Sequence, residues 1–350
     1  MKKTRLLALT LSAIMVLGTT ACGGGNADGS SSNKESGAQT TTKLTGDTLE
    51  LKAGHVLTED SPYHLALTQW ADEVYEKTEG RVKVDVFANS VLGNERDMIE
   101  ALQMGTLDIT LPNSAPLSNF TDALKVFDLP FLFMEPEDAY AVIDSEVGAS
   151  MLDSLSDIGV VGLSMWENGF RNIANNKGEI RTPDDLKGLK IRTMENPIHM
   201  ASFKAWGADA TAMAWGEVYT ALQQKTIDGL ENPFTPIYQN KLHEVAPFVT
   251  VTGHFYCPAP LLISKTTWEK ISPEDQAVIR ELSDKYKEVE RQMCMEVDED
   301  YKNRMMEEGV TVVEDIDKAA WREAAQPVYD EYADEIGVDL LNQIQEMISK

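Results

Sequence analysis

A short segment in the second half of the chain combines a strand-like pattern with three cations. The segment LKGLKIRTMENP, residues 186–197, holds Lys187, Lys190 and Arg192, although the formal net charge of the chain is −26. Apolar and basic residues alternate up to Arg192, which is the period of a strand that buries one face. Arg192 ends this strand at the sheet edge where α/β proteins bind ligands, and its guanidinium could pair with both oxygens of a carboxylate. The residues alone also allow Arg192 a surface role, paired with one of the 57 acidic residues.

The sequence lacks the usual signatures of catalysis. It contains no nucleophile-elbow, zinc-protease or phosphate-loop motif, and its five histidines are scattered. We therefore predict that the protein is not an enzyme and uses neither a metal nor a cofactor. An exported hydrolase on a two-lobed fold remains an alternative, and it would require a base beside a nucleophile.

The beginning of the chain reads as an export signal. Residues 1–21 contain basic residues near the start, an apolar stretch over residues 6–17 and small residues before Cys22. Cys22 precedes three glycines, which predicts lipidation, with plain secretion as the alternative. Residues 22–46 are rich in Gly, Ser and Thr and predict a flexible tether. We expect an exported protein that faces the periplasm or the cell exterior and is attached to the membrane by its lipid alone.

The charge of the chain excludes two classes of partner. Its 31 basic residues are outnumbered by 57 acidic ones, so nucleic acids and anionic membrane surfaces should be repelled. Cys257 and Cys294 are the cysteines that follow Cys22, and two residues do not make a disulfide framework. One bridge between them and two separate thiols are both compatible with the sequence.

Strand-like and helix-like segments alternate after residue 48, which predicts an α/β protein with a mostly parallel sheet in its first part. We assign the first lobe to residues 47–168 together with a returning strand and its flank at about 258–271. The second lobe takes residues 169–257. A cleft should then lie at the junction of the two lobes, as in periplasmic-binding-protein-like folds.

The sequence predicts one long helix that follows the second lobe in chain order. Apolar residues recur at spacings of three and four from Val278 to Met305, after a cap at Ser272 and before a stop at Gly309. A helix over residues 272–308 would be roughly 50 Å long at 1.5 Å per residue, enough to span both lobes. Residues 309–350 should add a strand and helices that wrap the lobes.

Three long segments carry a family resemblance. They are GFRNIANNKGEIRTPDDLKGLKIR, GADATAMAWGEVYTALQQKTIDGLENP and SVLGNERDMIEALQMGTLDIT. In order and spacing the chain resembles, from about residue 48 to about residue 340, the DctP-type solute-binding proteins of TRAP (tripartite ATP-independent periplasmic) transporters. The resemblance implies two hinged lobes, a bound small organic acid and its delivery to a small and a large membrane subunit. We take a monomer as the default.

The resemblance also implies a set of site residues. Arg192 would bind the ligand carboxylate, Arg171 would contact it, Asn232 would support it and Trp215 would line the cleft. The first lobe would add His55, Glu95 and Asn113. Family members are known with an acidic residue near the Asn113 position, so the chain departs from the pattern there.

The identity of the acid stays open between two classes. A sugar acid needs hydroxyl partners, which His55, Glu95, Asn113 and Asn168 could supply, whereas a C4-dicarboxylate needs a second cation. Arg171, a protonated His55 or Arg96 could provide that cation, and we favour the sugar acid slightly. The receiving partner could also be a sensor or an ABC importer, although the long helix and the DGLENP segment argue against the ABC class.

Overall fold

The computed structural model describes residues 48–349. The predicted signal peptide, the lipidation site at Cys22 and the predicted tether lie outside the described residues. Among residues 48–349, no helix combines the length and the apolar character needed to cross a membrane.

The described chain alternates strands and helices throughout. The strands are β1 (Leu49–Gly54), β2 (Val82–Phe87), β3 (Ile109–Thr110), β4 (Val160–Phe170), β5 (Asn172–Asn175), β6 (Lys190–Thr193), β7 (Asp209–Ala212), β8 (Gly229–Asn232), β9 (Phe248–Thr250), β10 (Tyr256–Ser264) and β11 (Thr311–Val313). The α-helices are α1 (Pro62–Lys77), α2 (Glu95–Gln103), α3 (Pro136–Ile143), α4 (Glu146–Ser154), α5 (Pro197–Ala205), α6 (Val218–Gln223), α7 (Phe234–Gln239), α8 (Lys265–Trp268), α9 (Pro273–Glu307), α10 (Lys318–Ala324), α11 (Gln326–Ile336) and α12 (Val338–Ile348). The α/β fold class predicted from the sequence is confirmed.

Two separate sheets form the two lobes. The first has the strand order β2-β1-β3-β10-β4, and the second has the order β11-β9-β5-β8-β6-β7. Both sheets are mixed, because β10 runs antiparallel to β3 and β4, and β5 runs antiparallel to β8 and β9. The strand expected at residues 259–265 corresponds to the later part of β10 and returns the chain to the first sheet.

The chain passes between the sheets at Arg171, between β4 and β5, and again before β10. Each face of the second sheet is covered, since Ile173 and Ala174 are both buried but belong to different hydrophobic clusters. Adjacent residues of a strand point to opposite faces, so two cores flank this sheet. The first lobe has an apolar core of its own, and the chain crosses between the sheets a third time, from α9 to β11 of the second sheet.

Helix α9 confirms the predicted long helix. Ser272 caps its start by accepting a hydrogen bond from the Asp275 backbone N–H at 3.1 Å, and Gly309 follows its end with φ +93°. The helix packs against β4 and α1 of the first lobe and against α7 and β11 of the second. It therefore connects both lobes along its length.

Neither Cys257 nor Cys294 is bridged in the described part of the chain. Cys257 is buried in β10, and Cys294 is half-buried on α9. This observation supports two separate thiols over the alternative of one disulfide.

Candidate ligand-binding site

A small cavity lies where strand ends of the two lobes face each other. Its walls include Glu95 and Asn113 from the first lobe, Asn168 and Arg171 from the crossover, and Arg192, Trp215 and Asn232 from the second lobe. Six of the seven predicted ligand-binding residues are thus brought together. The cavity measures about 10 Å³, which is room for roughly one water molecule, so it must widen before it can hold an organic acid.

Arg192 is a buried cation that is held along one edge. Its neighbour Ile191 enters the core of the second lobe, which turns Arg192 to the other face of β6. Nε and Nη2 donate to the Met213 carbonyl oxygen at 2.9 and 2.7 Å, while Nη1 has no partner among residues 48–349. Burial lowers the pKa of Arg192 to about 10, so the side chain stays charged at neutral pH. The free Nη1 edge can receive an anion.

Trp215 lies beside this guanidinium. The Arg192 Cζ is 5.7 Å from the centroid of the Trp215 ring, within the range of a cation–π contact. Trp215 begins a short 3₁₀ turn after β7, and its side chain is half-buried. The indole therefore limits the motion of Arg192 and closes one side of the cavity.

Arg171 is already paired within the protein. Its Nε and Nη2 donate to the carboxylate of Glu231, Nη2 also donates to the Glu231 carbonyl at 2.7 Å, and Nη1 donates to the Asn168 side chain at 3.0 Å. Burial on its own would raise the pKa of Glu231, but the Arg171 charge outweighs it and holds that pKa below its usual range. Since Glu231 neutralises Arg171, the net excess of positive charge at the second-lobe wall resides on Arg192.

His254 adds a neutral group behind the Arg171–Glu231 pair. Its Nε2 lies 3.8 Å from Glu231 Oε2, and its Nδ1 lies 2.6 Å from the Thr252 hydroxyl. Burial lowers the pKa of His254 to about 4, so the ring is neutral at neutral pH. The ring thus lies beside Glu231 without adding charge.

The first lobe presents hydrogen-bond acceptors to the cavity. Glu95, at the start of α2, accepts from the backbone N–H of Asn113 at 2.8 Å and from its side-chain amide at 2.9 Å. This pair orients the Asn113 Oδ1, which has no hydrogen-bond partner within the described residues. On the second-lobe side, the Asn232 Oδ1 also has no partner among those residues. Burial raises the pKa of Glu95, so its carboxyl group is more readily protonated than an exposed one. The wall opposite Arg192 is therefore suited to hydroxyl groups.

The structure does not bring His55 to the cavity, although its neighbours Val56 and Leu57 line it. The His55 side chain is buried against α1, with Nε2 at 3.1 Å from Nδ1 of His64 and the ring edge-on to Tyr63. Burial lowers the pKa of His55 to about 3, which leaves the ring neutral.

Comparison with known proteins decides the family. The model of bacterial extracellular solute-binding proteins, family 7 (DctP), matches residues 53–335. The chain belongs to this family. It is thus a DctP-type solute-binding protein of TRAP transporters, as its sequence motifs predict.

Individual relatives cover nearly the whole described chain. The 2,3-diketo-L-gulonate-binding periplasmic protein YiaO of Escherichia coli is 33% identical over 300 residues, which are 85% of this chain and 92% of that protein. The sugar acid binding protein DctPAm from Advenella mimigardefordensis, solved with galactonate, has a TM-score of 0.83 at 33% identity and covers 86% of this chain and 98% of its own. A protein from Sulfurospirillum deleyianum, solved with succinate, has a TM-score of 0.80 at 32% identity, with 85% and 98% covered.

Sequence reasoning missed the lining residues Val56, Leu57 and Met194, and also two residues behind the cavity wall. Glu231 directly precedes the predicted Asn232 in the DGLENP segment, and His254 lies in the crossover before β10. A signal was present for Glu231, since an acidic residue in a short strand expected to be buried requires a partner. Nothing in the local sequence marks His254. No group of three or more potential metal ligands is assembled within residues 48–349.

Proposed function

We propose that this protein captures a hydroxylated monocarboxylic acid, a sugar acid, in the cleft between its lobes and delivers it to the membrane subunits of a TRAP transporter. The observation that carries the proposal is the buried, half-satisfied guanidinium of Arg192 opposite a wall of oxygen acceptors. The mature protein is proposed to be a monomer held to the membrane by a lipid on Cys22.

The carboxylate of the ligand is assigned to Arg192. The Met213 carbonyl holds the Nε and Nη2 side of the guanidinium, so the Nη1 side is oriented before a ligand arrives. A neutral ligand would leave this buried cation unpaired, which is a strong penalty against uncharged sugars. Asn232 would complete the carboxylate site, and Arg171 would contribute its charge mainly by fixing Glu231 and Asn168.

The hydroxyl groups are assigned to the opposite wall. Glu95 and the Asn113 Oδ1 offer acceptors, which suit the hydroxyls of a sugar acid. A second carboxylate would lie beside Glu95 and the Asn113 Oδ1, which offer it no positive charge. The second cation that a dicarboxylate requires is not supplied, because Arg171 is paired with Glu231, His55 is neutral, and Arg96 pairs with Glu100 at 3.1 Å at an exposed position. Relatives have been solved with a sugar acid and with succinate, so the choice between these two ligand classes rests on the charges of this cavity.

Capture requires the lobes to open and close. In the described arrangement, Gln239 of α7 accepts from the Thr58 hydroxyl at 3.2 Å and donates to the Asp60 carbonyl at 2.9 Å. These bonds join the second lobe to the first across the cleft. The acid would dock on the Arg192 lobe, and contacts from Glu95 and Asn113 would favour the closed form by adding affinity in that form alone. The membrane subunits would receive the closed, loaded protein.

A thermal-shift screen tests this function. The mature chain, residues 22–350, is heated with galactonate, glucuronate, succinate and the neutral sugars galactose and glucose, and the screen is repeated with Arg192→Ala. A rise in Tm with a sugar acid that exceeds the rise with succinate, is absent with the neutral sugars and is lost in Arg192→Ala would support the proposal. Lys190→Ala is the matched control, since Lys190 is an exposed cation on the same strand.

Two results would refute the proposal. One is a Tm that no acid raises. The other is an acid-dependent rise that is equal in the wild type and in Arg192→Ala, which would place the anion elsewhere. A larger shift with succinate than with every sugar acid would overturn the assignment of ligand class while leaving the role of Arg192 intact.

A further inference from the structure

A second group of buried acids lies behind the cleft, where β4 and α9 meet beside the first crossover. Glu167 of β4 and Glu290 of α9 are 5% and 0% exposed. Between Glu167 and the second lobe, Gly169 adopts a left-handed conformation with φ +102°, and Glu167 Oε1 would lie 3.5 Å from a Cβ placed there. The acids therefore lie at the segment through which the chain passes from one lobe to the other.

Hydrogen bonds join these acids into one cluster. The Glu167 backbone N–H donates to Glu290 Oε2 at 2.9 Å, and the Cys294 thiol donates to Glu290 Oε1 at 2.9 Å. The Tyr140 hydroxyl donates to Glu167 Oε2. Further along the same helix, Asp298 accepts from the backbone N–H and hydroxyl of a residue at the start of α7, Thr235, at 2.8 and 3.0 Å. The middle of α9 is thus bonded through acids to a first-lobe strand and to a second-lobe helix.

The nearest cation to the cluster, Arg291, is already paired with another carboxylate. Arg291 is the cation that faces Glu167 and Glu290, and its Nη1 and Nη2 donate to the Asp144 carboxylate at 2.7 and 3.0 Å. The other titratable or charged groups that face the two acids from the packed elements are Glu137 and Tyr140 of α3, Tyr63 of α1, Tyr256 of β10, and Cys294 and Asp298 of α9. At neutral pH these are acids or neutral groups, so two buried carboxylates would repel each other without a cation of their own.

Burial raises the pKa of Glu167 to about 7 and that of Glu290 to about 8. It also raises the pKa of Asp298 to about 6. The raised pKa values of Glu167 and Glu290 agree with the geometry, because a proton on either carboxyl group removes one of two buried negative charges that have no cation of their own.

We propose that Glu167 and Glu290 form a proton-binding site at the crossover, and that closure of the lobes is linked to proton uptake there. In the closed arrangement the two carboxyl groups are packed between β4 and α9 and retain a proton. Opening moves the crossover against α9, admits water to the cluster and lowers its proton affinity. Ligand binding, which closes the lobes, therefore takes up a proton and weakens as the pH rises through about 8.

The first test needs no ligand. The free energy of unfolding of the mature chain is measured by denaturant titration between pH 5 and pH 9 for the wild type, Glu290→Gln and Glu281→Gln. The folded-state pKa of Glu290 lies above the unfolded value, so its contribution is present at low pH and is lost as the pH rises. The stability of the wild type relative to Glu290→Gln should thus fall across this range, whereas Glu281→Gln, at an exposed position on the same helix, should follow the wild type.

Glutamine is a fair replacement at this position. Its amide oxygen can accept from the Glu167 N–H, and its amide N–H can approach the Cys294 sulfur, but it cannot ionise. Glu167→Gln serves as a second variant if Glu290→Gln does not fold. A stability difference between wild type and variant that is the same at every pH would overturn the proton site.

The second test measures the link to closure. Binding of D-glucuronate is followed by calorimetry at pH 7.5 in two buffers of different ionisation enthalpy, and the affinity is measured at pH 6 and pH 8.5. The wild type should take up more protons on binding than Glu290→Gln, and its affinity should fall more steeply with pH, about tenfold for each unit by which opening lowers the pKa. Glu95 can also take up a proton on binding, and it does so in both proteins. The test therefore uses the difference in proton uptake between the wild type and Glu290→Gln.

Equal proton uptake in both proteins would overturn the link. If D-glucuronate does not bind, galactonate takes its place. If neither binds, the proposed ligand class is at fault, and small-angle scattering of the ligand-free protein then decides the link. A radius of gyration that is larger at pH 9 than at pH 6 in the wild type, but not in Glu290→Gln, supports it. Equal radii in the wild type at both pH values contradict it.

Discussion

At the scale of single residues, the two buried arginines of the site have different tasks. Arg171 is neutralised by Glu231, and both side chains are fully buried. Arg192 is held by a carbonyl oxygen, which leaves its charge uncompensated by a direct carboxylate partner within the described residues. A buried unpaired cation is costly unless an anion binds, so we propose that selectivity for acids depends on Arg192.

Replacing Arg192 should therefore weaken acid binding strongly. We expect Arg192→Ala to weaken binding of the preferred acid by about 2 to 5 kcal/mol, the range for truncating one partner of a buried charge pair. Isothermal calorimetry measures the change, with Lys190→Ala as the control that should bind like the wild type. A loss below about 1 kcal/mol would contradict the assignment of Arg192 to the carboxylate.

Replacing Glu231 should act on the fold rather than on the ligand alone. Glu231→Gln leaves Arg171 buried without its anion, and the free energy of unfolding should fall by about 3 to 5 kcal/mol. The matched control is Glu179→Gln, which removes an exposed ion pair with Arg181 and should cost less than about 1 kcal/mol. Urea denaturation of both variants distinguishes the two cases, and equal effects would mean that the Arg171–Glu231 pair does not stabilise the fold.

At the scale of elements, α9 shows both the strength and the limit of a periodic pattern. Its start, its length and its contact with both lobes follow from the sequence. Its buried face does not, because Val289 and Met293 of the predicted stripe are half-buried while Glu290 and Arg291 are fully buried. A single apolar stripe assumes a single apolar partner, whereas the middle of α9 lies over the polar crossover between the two lobes.

The cap of α9 provides a local test. Ser272→Ala removes the acceptor for the Asp275 backbone N–H and should reduce the free energy of unfolding by about 1 kcal/mol. Ser272→Thr keeps the hydroxyl group and should retain most of the stability. If both variants unfold at the same denaturant concentration, the cap is not the source of the effect.

At the scale of the whole molecule, closure depends on contacts that lie outside the ligand cavity. Gln239 bonds to two residues of the first lobe, Thr58 and Asp60, and also donates to the Tyr301 hydroxyl of α9 at 3.3 Å. A residue that bonds across the cleft stabilises the closed form whether or not a ligand is present. Under the proposed function, Gln239 would therefore help to set the opening equilibrium on which ligand affinity depends.

Removing this contact should shift the molecule toward the open form. We expect Gln239→Ala to weaken acid binding by about 1 to 2 kcal/mol, since neutral hydrogen bonds contribute about 1 kcal/mol each. Stopped-flow dissociation should show a faster release, and small-angle scattering should show a larger ligand-free radius of gyration. Gln223→Ala, at an exposed position of the same lobe, is the control. An affinity unchanged from the wild type would show that Gln239 does not hold the lobes together.

The sequence by itself determined the features that local patterns encode. Alternation up to Arg192 placed one side chain in the core and the next at the cleft, the cap at Ser272 fixed the start of α9, and long motifs identified the family. The tertiary structure alone decided which groups are paired. Glu231 neutralises Arg171 from 60 positions away, Glu290 meets Glu167 from 123 positions away, and His55 turns onto α1 instead of the cavity. Pairing and burial depend on contacts between distant segments, and no local pattern carries that information.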